Sequence, residues 1–409
     1  MNSSASSHKG KTIGVIGFNA RPLACSIKKL KTTVYVSDYW GDDDLSACCD
    51  EWVAVLDPKP GSRQRETLEK PVPVSLVANM LEHFSEIEFD YIVIGSGFDD
   101  TPATLEPIRK QWKVAGNSTT QMVQARYKKF LRKIVSDVGI EKPITKLAKS
   151  ANSATNFGEI VGYPFVIRSL TSGGGSGIRV VTNKEQLDDI FSKHKEPRTM
   201  FLQQLISGFD ASASVLGTGT ISKTLSIQGQ LIGMPTAGRN CDFVYCGNYY
   251  PSLVDVRIMD KLESISEEII DSLGLLGSNG IDYVVDYDGK IWFLEINPRI
   301  QGTLEMLERA SDMSVSKMHL DAFEGALPDA ISEITPCCKM IVYSSRSGQV
   351  PDLAKFPSTV DRSPEGTIVK IGDPICSIIE TGNSLNSTYA RVVRLSLDIQ
   401  RNVVGKLKD

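Results

Sequence analysis

The 409-residue sequence is poor in histidine. It has four, at positions 8, 83, 194 and 319, and none borders a segment that reads as chemistry. A histidine general base is therefore not expected. Cysteine occurs eight times but never as CxxC, and the Cys241/Cys246 spacing comes without a partner histidine. No thiolate metal motif results, and reduced cysteines in a cytoplasmic protein are the expectation. No run approaches the roughly 20 apolar residues that a helical membrane span needs. Positive charge is not in excess either: 45 Lys and Arg against 49 Asp and Glu give a net charge of −4. That balance argues against a nucleic-acid partner. Residues 1–11 are Ser-rich and polar, lack the apolar centre of a secretory signal, and read as a disordered tail.

Apolar residues make up 41% of the chain and charged residues 23%, enough to bury several cores. At roughly 150 residues per domain, two to four domains are expected. Strand-like runs at 12–17, 34–38, 52–55 and 90–97 alternate with helical stretches such as 74–84. This predicts a parallel, doubly wound sheet. Gly14, Gly17 and Asp38 mimic a dinucleotide site. The loop after the first strand, however, reads Gly17-Phe18-Asn19-Ala20-Arg21-Pro22. It lacks GxGxxG spacing and puts a Phe and a Pro where backbone must approach a pyrophosphate.

A helix is predicted over 119–138, stopped by Gly139 and Pro143. Short strands with Gly-rich turns follow from Tyr163. Further helices are predicted at 184–194, capped by Thr182 or Asn183, and at 256–273, with Ile258, Leu262, Ile265, Ile269 and Leu273 on one core-facing stripe. From about Thr335 four β-like runs, the last at 390–399, read as a small separate β domain.

The most informative segment is 281–297. Asp288-Gly289 between β-rich runs signals a two-residue hairpin turn, which pairs 287 with 290, 284 with 293 and Asp282 with Glu295. Asn297 follows on the same face, since alternate residues of a strand point the same way. Facing carboxylates destabilise a sheet unless something compensates. A hard divalent cation would, because Mg²⁺ takes oxygen ligands; a solvated strand face would also tolerate the pair. Arg299 follows Pro298, where a cation could steady developing negative charge.

Two other segments carry chemistry. The loop at 171–177 (TSGGGSG) lies between strand-like runs; its glycines would let successive N–H groups turn toward phosphate, with Ser172 and Ser176 as added donors. Residues 200–215 read as a strand, a turn at Gly208 and a returning strand. There, exposed backbone could meet a base edge and Asp210 a ribose.

In this order the three segments resemble the ATP-grasp superfamily of carboxylate–amine ligases, which includes biotin carboxylase and D-alanine–D-alanine ligase. Within it, the sequence is most similar to uncharacterised archaeal and methylotroph carboligases. The resemblance implies an α/β and α+β ATP-grasp fold. A Rossmann-like domain over 12–118 would precede a small subdomain with a glycine flap over 119–199 and a large subdomain with a metal site over 200–334. A C-terminal β domain would occupy 335–409. It further implies ATP with Mg²⁺, or Mn²⁺, as cofactors. Lys128, Arg168 (where the family has a second lysine), Ser172, Gly173, Gly174, Gly175 and Ser176 would contact phosphates. Gln203, Gln204 and Ile206 would hold the base, and Asp210 the ribose. Asp282, Glu295 and Asn297 would hold the metal, with Arg299, Arg168 and Lys128 as catalytic residues.

The implied reaction joins a small-molecule carboxylate to an amine, or a thiol, through an acyl phosphate, and a homodimer is implied as well. Carboxylation through carboxyphosphate and a non-catalytic nucleotide-binding module stand as alternatives. Candidate substrate residues are Arg239, Asp242, Tyr245, Gln301 and Gly302, with Asn19, Arg21 and the Ser96-Gly97 loop as a second set at the ends of the N-terminal strands.

Overall fold

The computed structural model describes residues 8–169, 175, 177–192, 199–238 and 243–405, apart from the side chains of Lys128, Lys129 and Ser169. The N-terminal sheet is built from β1 (Thr12–Gly17), β2 (Thr33–Asp38), β3 (Glu51–Ala54), β4 (Tyr91–Ile94) and β5 (Val114–Ala115). Its strands are all parallel in the order β3-β2-β1-β4-β5, with α1 (Arg21–Lys28), α2 (Val72–Phe84) and α3 (Glu106–Gln111) in the crossovers. This is the expected doubly wound sheet. A Cβ at Gly14 would lie 2.4 Å from the Ile92 side chain, so a larger residue would displace that side chain. Asp38 closes the turn after β2 by accepting the N–H groups of Ala20, Trp40 and Gly41.

Packing begins earlier than the expected tail. His8 is fully buried and bonded to Asp321 at 2.8 Å, so the last residues of 1–11 belong to the folded body. The cysteine expectation also needs correction. Cys25 of α1 and Cys48 form a disulfide, while Cys49, Cys337, Cys338 and Cys376 carry free thiols. The pair is 23 residues apart and matches no spacing motif; the fold of α1 against the 46–48 turn brings the two together.

The helix predicted over 119–138 is two, α4 (Thr119–Arg126) and α5 (Lys128–Asp137). They are broken at Tyr127, whose ψ of 103° leaves the helical region. A four-stranded antiparallel sheet follows, from β6 (Thr145–Ala148), β7 (Phe165–Ser169), β8 (Arg179–Val181) and β9 (Met200–Gln204), in the order β6-β9-β7-β8. Its helices are α6 (Ala151–Val161) and α7 (Lys184–Ser192), the latter capped by Asn183.

The largest sheet starts with β10 (Gly208–Thr218), β11 (Ser222–Ile232), β12 (Tyr245–Tyr250), β13 (Leu276–Asp286) and β14 (Ile291–Asn297). β9 and β10 lie in different sheets, so the expected turn at Gly208 is a crossover between them, not a hairpin. One face of this sheet is apolar: Ala211, Ala213, Ile227, Ile281, Tyr283 and Phe293 pack with α8 (Val256–Leu273), whose stripe Leu262, Ile265, Ile269 and Leu273 is buried as predicted. The alternating positions form the opposite, polar face.

After α9 (Leu304–Ala310) and α10 (Val315–Phe323) come β15 (Cys337–Tyr343), β16 (Gly348–Gln349), β17 (Thr359–Val360), β18 (Ile368–Val369) and β19 (Pro374–Thr381). β15, β19 and β17 continue the large sheet, with β15 paired to β12, so the C-terminal β segment does not stand apart. Residues 390–399, expected as a strand, lie within α11 (Leu385–Arg401). Two adjacent valines suggested β structure there, but the buried positions Thr388, Val392, Ser396 and Ile399 recur with a helical period.

Candidate active site

The hairpin of β13 and β14 puts Asp282 opposite Glu295, as expected, but by a different route. The turn is wider than two residues. Asp286 accepts the N–H groups of Asp288 at 3.1 Å and Lys290 at 2.9 Å, and the Trp292 indole N–H at 2.9 Å. The resulting register pairs Val284 with Trp292, one residue off the expectation of 293. A β-bulge between Asp282 and Tyr283 then leaves Leu294 unpaired and restores the expected partner. Two unforeseen features, each worth one residue, cancel at the site.

Asp282 is enclosed by donors. Ser212 Oγ (2.8 Å) and Gln230 Nε2 (3.0 Å) donate to its Oδ1, and Asn297 Nδ2 donates to its Oδ2 (2.9 Å). Burial, together with the Glu295 charge, nonetheless pushes its carboxyl up to about 7, because desolvation outweighs the three bonds. Glu295 is half exposed and accepts from Arg126 Nη1 at 3.0 Å. With its amide N–H committed to Asp282, Asn297 keeps its carbonyl oxygen as an acceptor.

Among the described residues, no group of three or more His, Cys, Asp or Glu side chains is arranged to hold a metal. The candidate cation site therefore rests on two carboxylates and an amide. Their chemistry fits a hard divalent cation: all are oxygen donors, and a positive ion would offset the repulsion that raises Asp282.

Arg299 follows β14 and lies within electrostatic reach of both Asp282 and Tyr245. Its Nε is held by Asp99, from the loop after β4, at 2.9 and 3.2 Å. Gln301 folds back on β10, its Oε1 accepting from Ser214 Oγ (2.6 Å) and its Nε2 donating to Ser212 Oγ (3.1 Å). Both ends of its amide are thus engaged by the sheet. Tyr245 is half-buried, its hydroxyl donates to Asn248 Oδ1, and desolvation raises its pKa. Gly302 lies beside that hydroxyl, and its carbonyl accepts from Lys339 Nζ at 3.0 Å. Asp210 occupies the same polar face two residues from Ser212; burial alone lifts it to about 6.

Arg168 sits on β7 with its guanidinium over the Phe201 ring, 4.6 Å from the centroid. Gln203 and Gln204 lie on β9, where the Gln204 side-chain Oε1 accepts the Ile144 N–H at 3.2 Å, and Ile206 is in the crossover that follows. Lys128 opens α5. Gly175, at φ +74°, approaches the backbone of Phe243 so closely that a Cβ would lie 1.6 Å from its carbonyl oxygen. Ser172, Gly173, Gly174, Ser176, Arg239 and Asp242 lie outside the described residues, as does the Lys128 side chain.

Arg21, from the second set of substrate candidates, has another role. It is buried and paired with Asp361 (2.7 Å), Asp44 (3.5 Å) and Glu305. Ser96 binds Phe18 through its carbonyl at 2.8 Å, joining the ends of β1 and β4.

Residues that the sequence reading passed over complete the site: Ser212, Gln230, Arg126, Asp99 and Lys339. For the first two a signal existed. Ser212 and Ser214 alternate with Ala211 and Ala213, and Ser226, Gln228 and Gln230 alternate with apolar neighbours. A polar inner face on central strands needs a partner on that side. Arg126 and Asp99 come from distant segments and carry no local signal.

Residues 125–303 match the ATP-grasp domain family. Over 384 residues the chain is 26% identical to an uncharacterized protein of Methanocaldococcus jannaschii, covering 92% of this chain and 90% of that one. It is similar in fold to the N5-carboxyaminoimidazole synthetase of Staphylococcus aureus solved with ADP, at 16% identity and a TM-score of 0.69, covering 95% and 97% of the two chains. It is likewise similar to the biotin carboxylase domain of the Hydrogenobacter thermophilus 2-oxoglutarate carboxylase, solved with MgADP and bicarbonate. There the identity is 15% and the TM-score 0.71, covering 96% and 94%.

Proposed function

We propose, from the match of residues 125–303 to the ATP-grasp domain family, that the chain is an ADP-forming ligase joining a small-molecule carboxylate to an amine. The observation that carries this reading is the polar centre on the large sheet. There Asp282, Glu295 and Asn297 converge, with Arg299 in electrostatic reach of Asp282. A bound divalent cation, Mg²⁺ or Mn²⁺, would supply positive charge to offset that of the phosphates. Asp282, Glu295 and Asn297 are the residues to hold it.

The remaining roles follow from the chain's own groups. ATP binds between the four-stranded and eight-stranded sheets, with Gln203, Gln204 and Ile206 at the base and Asp210 at the ribose. A substrate carboxylate oxygen attacks the γ-phosphorus, the bond to the bridging oxygen breaks, and ADP leaves. The amine nitrogen attacks the acyl carbon, loses a proton and expels phosphate, forming the amide. Arg299, Arg168, Lys128 and the 172–176 loop balance the negative charge that passes across the phosphoryl group. No side-chain nucleophile is required.

The test is ADP release from MgATP across a panel of acids, with bicarbonate included, each with and without a panel of amines. Stimulation by a carboxylate, raised again by an amine that appears as amide in the product, supports the proposal. Tight MgATP binding with no stimulation by any pair would sink it, and stimulation by bicarbonate alone would favour carboxylation.

A further inference from the structure

Two adjacent acids reach the polar centre from outside the sheet that builds it. Asp99 and Asp100 lie in the loop after β4, in the N-terminal sheet. Asp99 accepts the Nε–H of Arg299 on both oxygens, at 2.9 and 3.2 Å, while Arg299 Nη1 donates to the Ile300 carbonyl at 3.2 Å. Asp100 accepts from Arg126 Nη2 at 2.7 Å. The other end of that guanidinium, Nη1, donates to Glu295 at 3.0 Å and to the Ile296 carbonyl at 3.4 Å.

We propose that Asp99 is the positioning residue that fixes Arg299 for the phosphoryl chemistry, and that Asp100 acts more weakly on Glu295 through Arg126. This rests on the ligase reading. The difference in strength follows from solvent. Asp99 and Arg299 are 12% and 18% exposed, whereas Asp100 and Glu295 are 75% and 51% exposed. Exposed ion pairs are screened and hold geometry poorly. Arginine has many rotamers, and a guanidinium held at Nε and Nη1 has given up that freedom before a substrate arrives. The same loop is tied to the end of β1 by the Phe18 N–H to Ser96 carbonyl bond. A ligand at the end of the N-terminal sheet therefore shares one short segment with Arg299.

The test is a double-mutant cycle on Asp99→Ala and Arg299→Ala, with Asp99→Asn as the near-isosteric variant. ADP release is followed at saturating MgATP with the acid and amine pair that best stimulates wild type, and MgATP affinity by calorimetry. Asp99→Ala is expected to lower kcat by about 30-fold while changing the MgATP Kd by less than about 3-fold, because misplacing a positioned group costs rate more than binding. The double variant is expected to lose no more than Arg299→Ala alone, since Asp99 acts only through Arg299. Losses that multiply, or a Kd that rises as far as kcat falls, would overturn the proposal.

Should wild type bind MgATP yet release no ADP with any pair, the ligase reading fails by itself. The cycle is then read on affinity for MgADP with vanadate, where non-additivity supports the Asp99–Arg299 coupling and additivity refutes it. For Asp100→Ala, Mn²⁺ titration is expected to show affinity about 3-fold weaker, as suits an exposed pair. A loss beyond about 30-fold would reverse the ranking of the two acids.

Discussion

Asn297 donates its side-chain N–H to Asp282 at 2.9 Å, although the strand register pairs Asn297 with Gly280 and Asp282 with Glu295. Gly280 leaves room for the Gln301 side chain, whose Nε2 would lie 1.8 Å from a Cβ there, and Asn297 reaches Asp282 by a diagonal bond. That bond turns the Asn297 carbonyl away from Asp282 and makes the two side chains one unit. Removing either changes the other.

Glu295→Gln is therefore expected to act differently from Asp282→Asn. Glu295 is half exposed, so the amide should fold normally and bind nucleotide, but with one anionic oxygen donor fewer. Mn²⁺ affinity, read by electron paramagnetic resonance, is expected to fall at least about 10-fold and turnover further. Asp282→Asn removes a half-buried carboxylate whose desolvation is unfavourable, so it should raise thermal stability while abolishing turnover. A fully active Glu295→Gln enzyme would contradict the assigned role.

The Gly208 crossover predicts a local steric effect. A Cβ there would lie 2.1 Å from the Val285 carbonyl oxygen, which is backbone and cannot swing aside. Gly208→Ala is expected to cost about 1–3 kcal/mol, the usual range for overpacking, in urea unfolding. Because Gly208 begins β10 just after the crossover that leaves β9, MgATP affinity should fall as well. Unchanged stability would mean that the crossover is loosely held.

The periodicity of single elements was legible in the sequence; their partners were not. The apolar composition of 12–17 and the stripe of α8 each placed an element correctly, because a strand buried on both faces and a helix buried on one leave different patterns in the chain. The hairpin register came out right at Asp282 and Glu295 only because a wider turn and a bulge offset each other. The wider turn is organised by Asp286, whose bonds to Asp288, Lys290 and Trp292 leave no mark in a dipeptide rule. Residues 390–399 misled because Val392 and Val393 favour strands intrinsically, and docking against β15 and β19 overrode that preference. The arginine clamps are invisible locally: Asp99 and Arg299 lie 200 positions apart.

His319 predicts acid sensitivity. It is buried between the N-terminal and large sheets; its Nδ1 accepts the Ser278 N–H at 2.9 Å, and its Nε2–H donates to the Ala115 carbonyl at 3.1 Å. Burial lowers its pKa to about 4, only partly countered by the Ala115 carbonyl. The unfolded chain, with an ordinary value near 6.5, binds a proton that the folded chain refuses, so stability falls as pH drops from about 6.5 toward 4. Wild type should lose stability between pH 7 and pH 5 by urea unfolding, with the His319-dependent part absent from His319→Gln. An equal pH slope in both proteins would remove His319 from the account.

The Arg21 network predicts the largest single loss of stability. Arg21 is 2% exposed and faces three acids, Asp361, Asp44 and Glu305; Lys339 reaches Asp361 at 3.8 Å as a second cation. Burial alone would raise Asp361 and Glu305, yet Arg21 holds both below the usual carboxylate range. Depressed carboxylates stabilise the fold above their unfolded pKa, and that contribution is lost as the pH falls through the folded values. Arg21→Ala leaves these acids buried without their main counter-charge, for which a cost of about 3–5 kcal/mol is expected. Arg21→Lys keeps the charge but not the fork that serves Asp361 and Glu305 together, so it should recover only part of the loss. The pH dependence separates this account from simple loss of packing. In Arg21→Ala the acids should take up protons at higher pH, so the deficit against wild type should shrink between pH 7 and pH 4. A deficit that stays constant over that range would mean that Arg21 stabilises the fold by filling space.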